Sequence, residues 1–178
     1  MSSTTTPVPV EDHQGDGRWM SMHKRFLIET NEKEPDVLFI GDSLIQRLVH
    51  TEMWNKCFAP MHALNFGIGG DQVQNVLWRV ENGTNNFGFS SEEIADGILE
   101  LVRVIREKQP VAYIVVLCEI VAIDKGFIQP DGTISHHDMH DYLHLTNSGY
   151  EKAFEPVHDL LMQLLTEGEP EKDLTPSE

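Results

Sequence analysis

Cysteine is nearly absent: the chain holds two, Cys57 and Cys118, among 178 residues. Two thiols cannot build the disulfide framework of a small secreted domain, and their scarcity fits a reducing compartment. No apolar run approaches the ~20 residues that cross a bilayer. The opening stretch MSSTTTPVPVEDHQGDG has no apolar core, so it does not read as a secretory signal. A cytoplasmic location is the expectation. Basic residues are also scarce, 13 Lys and Arg against 29 Asp and Glu, for a formal net charge of −16. That balance argues against nucleic acid and anionic membrane surfaces, both of which attract basic patches.

What is present is an ordinary globular composition, 40% hydrophobic, long enough for one domain with a real core. Helical spacing predicts helices over 19–30, over 44–58 with a break near Thr51, over 71–81, over 90–108 and over 148–165. Ser90 and Glu93 form a capping-box pattern, Pro110 ends the fourth of these helices, and Pro156 is expected to kink or restart the last. Short apolar runs predict strands over 36–40, 63–66, 112–117 (AYIVVL, the strongest) and 121–124. Short apolar strands alternating with amphipathic helices imply an α/β fold with a parallel sheet covered on both faces. The expected organisation is a flexible arm over 1–16, one domain over 17–166 and an acidic, proline-bearing tail over 167–178.

In such a sheet, chemistry gathers beyond the carboxyl ends of the strands. The run DVLFIGDSL ends its strand at Gly41 and presents Asp42 and Ser43 at the start of a helix. There the helix end favours negative charge, although Asp and Ser are also the commonest caps. A serine nucleophile needs a base and a carboxylate to orient that base. DMHDYLHLTNSGY supplies both, Asp141 and His144, three residues apart on one short loop before the last helix. Two further patterns suit an oxyanion hole: the backbone N–H of Gly70 in GIGGD and the side-chain amide of Asn85 in GTNN.

GDSL (Gly41, Asp42, Ser43, Leu44), FGIGGD, GTNN and DYLHLT resemble, in that order, the four sequence blocks of the SGNH or GDSL hydrolases. GDGRWMSMHKRF, EPDVLFIGDS, FAPMHALNFGIGGD, VLWRVENG and DGTISHHDMHDYLHLT are similar to the catalytic alpha subunits of the intracellular platelet-activating-factor acetylhydrolase of type Ib. The likeness covers nearly all of 15–167. It implies a three-layer α/β/α, flavodoxin-like fold, with Ser43 as nucleophile, His144 as base and Asp141 as its orienting partner. It implies an oxyanion hole from the N–H groups of Ser43 and Gly70 and the Asn85 amide, and an acyl pocket lined by Leu44, Thr84 and Leu143. It further implies hydrolysis of the sn-2 acetyl ester of a phospholipid without metal or other cofactor. The implied assembly is a dimer, with itself or with a related alpha subunit, and an association with the WD-repeat lissencephaly protein.

The chain departs from that family in two places. VENG runs straight into TNN, where the family has an apolar strand before GTNN. In AYIVVLCEIVAID two strand-like runs are separated by Cys118, Glu119 and Ile120 alone, although parallel neighbours need a crossover of about a dozen residues. One core strand and one crossover helix are therefore expected to be missing. HHDMHD offers five potential metal ligands in six residues, too crowded to converge on one ion, and the segment overlaps the DYLHLT loop. GIGG lacks the Lys-Ser/Thr of a phosphate-binding P-loop. Two function classes remain: a serine esterase, or a dimerising, partner-binding subunit in which the deletions have removed the catalytic geometry.

Overall fold

A computed structural model describes residues 5–33, 35–82, 91–108, 113–115, 126–141 and 143–167, and the chain divides into two compact units, Met1–Val116 and Leu117–Glu178. The first unit runs α1 (Arg18–Glu32), β1 (Val37–Gly41), α2 (Ser43–Leu48), β2 (Ala63–Gly67), α3 (Val73–Glu81) and α4 (Ser91–Lys108). β1 and β2 are parallel, with Val37 opposite Ala63 and Gly41 opposite Gly67.

The connection between these strands contains α2, a π-helical turn at Trp54–Phe58 and a 3-10 turn at Ala59–Met61. The break between its two halves has a definite cause. Buried Thr51 donates its hydroxyl to the Leu48 carbonyl at 2.7 Å and accepts from the Trp54 N–H at 3.1 Å. One side chain thus ends one helical segment and caps the next.

Strand side chains alternate between two faces. On one face, the ring of Phe39 lies 5.7 Å from that of Trp54 and 4.8 Å from that of Phe58. Asn65 on the same side donates to the Ile45 carbonyl at 2.6 Å, tying β2 to α2. On the other face, Phe66 stacks on Phe26 of α1 at 4.5 Å, within a cluster that includes Leu64 and Ile68. Val76 and Leu77 of α3 pack with Val104 of α4, and Ile40 of β1 touches both clusters. The first unit is therefore three-layered, helix on strand on helix, as an α/β fold requires.

The second unit is built on α5 (Asn147–Glu167), which passes through Pro156 without restarting. Phe127, Met139, Leu145, Tyr150 and Phe154 are buried there. Two isolated antiparallel bridges, Ile128 with Ile134 and Met139 with Leu145, fold the preceding chain into loops. Gly149 lets α5 approach one of them, since a Cβ at that position would fall 2.0 Å from the Asp138 carbonyl oxygen.

The sheet has two strands among the described residues. Residues 113–115, the described part of the run expected to be the strongest strand, carry no strand. The rest of that run, the strand expected over 121–124, and Ser90 of the expected capping box lie outside the described residues. Among the described residues no helix is long and apolar enough to cross a membrane.

Candidate active site

Ser43 is the first residue of α2, directly beyond the carboxyl end of β1. The capping is done by its neighbour: the Asp42 carboxylate accepts from the Leu44 N–H at 2.9 Å. Ser43 is therefore not needed as the cap, and the simplest structural reason for a serine here is removed. α2 is only six residues long, so its dipole is a minor source of positive potential at this site.

The glycine loop after β2 lies against the same turn. The Ile68 N–H continues the ladder to the Gly41 carbonyl at 3.0 Å, and the Asp71 N–H closes a turn onto the Ile68 carbonyl at 3.1 Å. Gly70 sits at the third position of that turn with φ of +88°, a conformation that glycine adopts without strain. The Gly69 N–H donates to Oε1 of Gln46 on α2 at 3.0 Å. A Cβ placed on Gly69 would lie 3.7 Å from the Ser43 Cβ. Ser43 and the GIGGD loop are thus neighbours.

Beneath this loop sits a buried ion pair that the sequence reading missed. Arg79 of α3 and Asp71 meet at 2.7 Å, with neither side chain exposed. Asp71 also accepts from the Trp19 indole N–H at 2.6 Å. Burial raises the Asp71 pKa to about 6 against the opposing pull of Arg79 and Trp19, and the same burial lowers that of Arg79. The available signal was a charged residue beside the apolar face of an amphipathic helix, in VLWRVENG.

In the second unit, the Met139–Leu145 bridge closes a loop that presents Asp141 and His144. One Asp141 oxygen accepts from the Leu143 N–H at 2.8 Å and from the His144 N–H, and the other meets His144 Nδ1 at 2.7 Å. These bonds, that of the imidazole first, hold the Asp141 pKa well below the usual carboxylate range. A carboxylate at that distance favours the tautomer with the proton on Nδ1, the one in which Nε2 can act as a base. The His144 side chain is 17% exposed, against 49% for Asp141. The foot of the loop is fixed by buried Asp138, which meets Lys152 of α5 at 2.5 Å and His137 Nδ1 at 3.3 Å. Three members of the HHDMHD run, His137, Asp138 and Asp141, are thus engaged with other side chains, and among the described residues no three His, Cys, Asp or Glu are grouped to hold an ion.

The structure therefore pairs Ser43 with the Gly70 loop in one unit, and Asp141 with His144 in the other. Of the expected acyl-pocket residues, Leu44 is half-buried and Leu143 is 54% exposed. Thr84 and Asn85, the latter expected as an oxyanion donor, lie outside the described residues.

No family model matches the chain. It is 44% identical to the platelet-activating factor acetylhydrolase IB subunit beta homolog of Drosophila melanogaster, over 225 aligned positions covering the full length of both. It is 42% identical to the IB subunit alpha1 of Homo sapiens over 90% of each chain. To the IB subunit alpha2 of Mus musculus it is 42% identical, over 95% of this chain and 94% of the other. A solved structure described as that of a candidate platelet activating factor from Streptococcus pneumonia superposes with a TM-score of 0.62 at 14% identity, over 80% of this chain and 92% of that one. That likeness supports a flavodoxin-like α/β fold. The 225 aligned positions of the fly comparison, less the 178 residues of this chain, leave at least 47 positions with no residue here. The fold is thus a truncated one.

Proposed function

The chain belongs to the platelet-activating factor acetylhydrolase IB family, and on that premise we propose that it is a serine esterase acting on the sn-2 acetyl ester of a phospholipid. The observation that carries the reading is the Asp141–His144 pair, 2.7 Å apart, the contact that orients a general base. Ser43 Oγ attacks the acetyl carbonyl carbon while His144 Nε2 takes its proton. Asp141 holds the imidazole in place and stabilises the imidazolium. The N–H groups of Ser43 and Gly70 and the Asn85 amide receive the oxyanion. Collapse expels the lysophospholipid alcohol, protonated by His144, and leaves an acetyl-serine. Water, deprotonated by the same histidine, releases acetate and restores Ser43.

The test is covalent labelling. A fluorophosphonate should modify one serine, and Ser43→Ala should abolish the label. His144→Ala should slow it by ~10²-fold or more, since the serine loses its base. Full labelling of Ser43→Ala would reject the assignment.

The missing positions favour a second reading, in which the chain is a weakly active or non-catalytic subunit. The named relatives are subunits, so this chain is proposed to form a homodimer, or a heterodimer with a related alpha subunit, and to contact a WD-repeat partner. A pulldown with such a subunit, together with absent labelling, would favour this reading over the first.

A further inference from the structure

Arg79 is the largest fully buried side chain among the described residues of the first unit, and its hydrogen bonds and ion pair converge on the strand ends and the turn beside Ser43 and Gly70. Nη1 donates to the Phe66 carbonyl at 2.8 Å, and Nη2 reaches the Gly41 carbonyl at 3.4 Å and the Asp71 carboxylate at 2.7 Å. Gly41 ends β1, two residues before Ser43. Phe66 is the penultimate residue of β2, and Asp71 directly follows Gly70. One guanidinium therefore ties the carboxyl ends of both strands to the residue behind the glycine turn. Trp19 holds the same carboxylate from α1 at 2.6 Å.

Core stability alone does not call for this arrangement. Removing two charges from water carries a large desolvation penalty, and an apolar side chain of similar volume often serves a core as well or better. Here Arg79 Nε has no hydrogen-bond partner among the described residues, so the guanidinium is not even fully satisfied. What a rigid planar fork supplies, and a leucine or methionine does not, is a fixed separation between two carbonyl oxygens and a carboxylate.

We infer that the Arg79–Asp71 pair is a positioning device for the reaction, holding the Ser43 turn and the Gly70 N–H at a set distance through the main chain on either side. The inference rests on the reading of Ser43 as nucleophile and Gly70 as oxyanion donor. An oxyanion hole acts through donors fixed before the reaction, so its disturbance lowers turnover more than substrate binding.

The full chain is assayed with p-nitrophenyl acetate, with circular dichroism recorded at the same temperature. Asp71→Asn and Arg79→Met should each lower kcat at least ~10-fold with KM changed less than about twofold, in chains that remain folded. The double variant should be no slower than either single, because the two residues act as one unit. Arg79→Lys, which keeps the charge without the fork, should recover part of the loss. Unchanged kcat in folded singles, a loss that only tracks the unfolded fraction, or multiplicative losses in the double variant would overturn the inference. If both singles unfold, Trp19→Phe removes one donor to Asp71 and keeps an aromatic ring. It should lower kcat at unchanged KM, and a full kcat there would overturn the inference as well. Ser43→Ala separates the two levels. Hydrolysis that survives it overturns the esterase reading, and so does a wild-type chain that neither turns over nor takes the fluorophosphonate label. Hydrolysis lost in Ser43→Ala but intact in Asp71→Asn overturns the positioning role alone.

Discussion

Asp71 is a carboxylate with no exposed side-chain surface, and that fixes how it must respond to pH. Burial lifts its pKa from 3.8 to about 6, so between those values the folded chain holds a proton that the unfolded chain has released. Stability from this group is fully present below the lower value and is lost as pH rises through the upper one. The loss is at most about 1.4 kcal/mol per pH unit. Asp71→Asn has no such proton to lose. Urea denaturation of both chains from pH about 4 to 7 should therefore show the wild type losing stability relative to the variant across that window, then a constant difference. A difference independent of pH throughout would mean that Asp71 ionises as an ordinary carboxylate. At the acyl end, Leu44 and Leu143 adjoin Ser43 and His144, the proposed nucleophile and base, in sequence, and with Thr84 they are proposed to crowd the acyl group. One or two surplus methylenes cost roughly 1–3 kcal/mol in a tight pocket, so acetyl esters should be cleaved at least ~10-fold faster than butyryl esters. Equal rates with acetyl and octanoyl esters would show an open pocket.

Among the elements, α2 is held against β2 by a tight steric constraint. A methyl group on Gly67 would fall 2.1 Å from the backbone nitrogen of Gln46 and 2.7 Å from the Ile45 carbonyl carbon. A helix backbone can answer only by retreating from β2. Retreat would break the Asn65–Ile45 bond at 2.6 Å and the Gly69–Gln46 bond at 3.0 Å. Gly67→Ala should cost at least about 2 kcal/mol in urea denaturation. Gly41→Ala should cost less, because the atoms nearest its methyl belong to the Ile45 side chain rather than to a helix backbone. Equal stabilities would show that α2 is not seated as described. The same element shows what a sequence can and cannot tell. The interruption at Thr51 was legible because a hydroxyl falls where helical spacing wants an apolar residue. The π-helical turn that follows was not, since Trp54 and Phe58, four apart, suit both an α-helix and a wider turn. Apolar runs marked β1 and β2 to within a residue at each end. The equally apolar 112–117 was expected as a strand, and its described part, 113–115, carries none, since pairing belongs to the partner strand as much as to the run itself. Asp141 and His144 were legible as a local pair. Arg79 was not, because its burial depends on two carbonyls and a carboxylate brought together only by the fold.

At the scale of the whole chain, the decisive quantity is what the alignment lacks. The sequence reading put one gap between Gly83 and Thr84 and another after Leu117, and both fall outside the described residues. Among the described residues, α3 and α4 pack directly through Leu77 and Val104, and the sheet has two strands. Fully burying one apolar side chain stabilises by roughly 1.5–3 kcal/mol. A central strand that buries four or five of them is therefore comparable to the whole stability of a domain, about 5–15 kcal/mol. Asn85, the proposed oxyanion donor, follows the first gap almost at once in sequence, and loss of one such donor costs about 2.7–4 kcal/mol, or 10²–10³ in rate. A chain carrying the fly relative's segments at both gaps should thus hydrolyse acetyl esters at least ~100-fold faster than this one, and should melt cooperatively at a higher temperature. In the restored chain Asn85→Ala should be severe, while in the present chain it should change little if the proposed donor lost its support with the strand. If the present chain is already as fast and as stable as the restored one, the sheet closes around both gaps, and the missing positions are dispensable to the reaction.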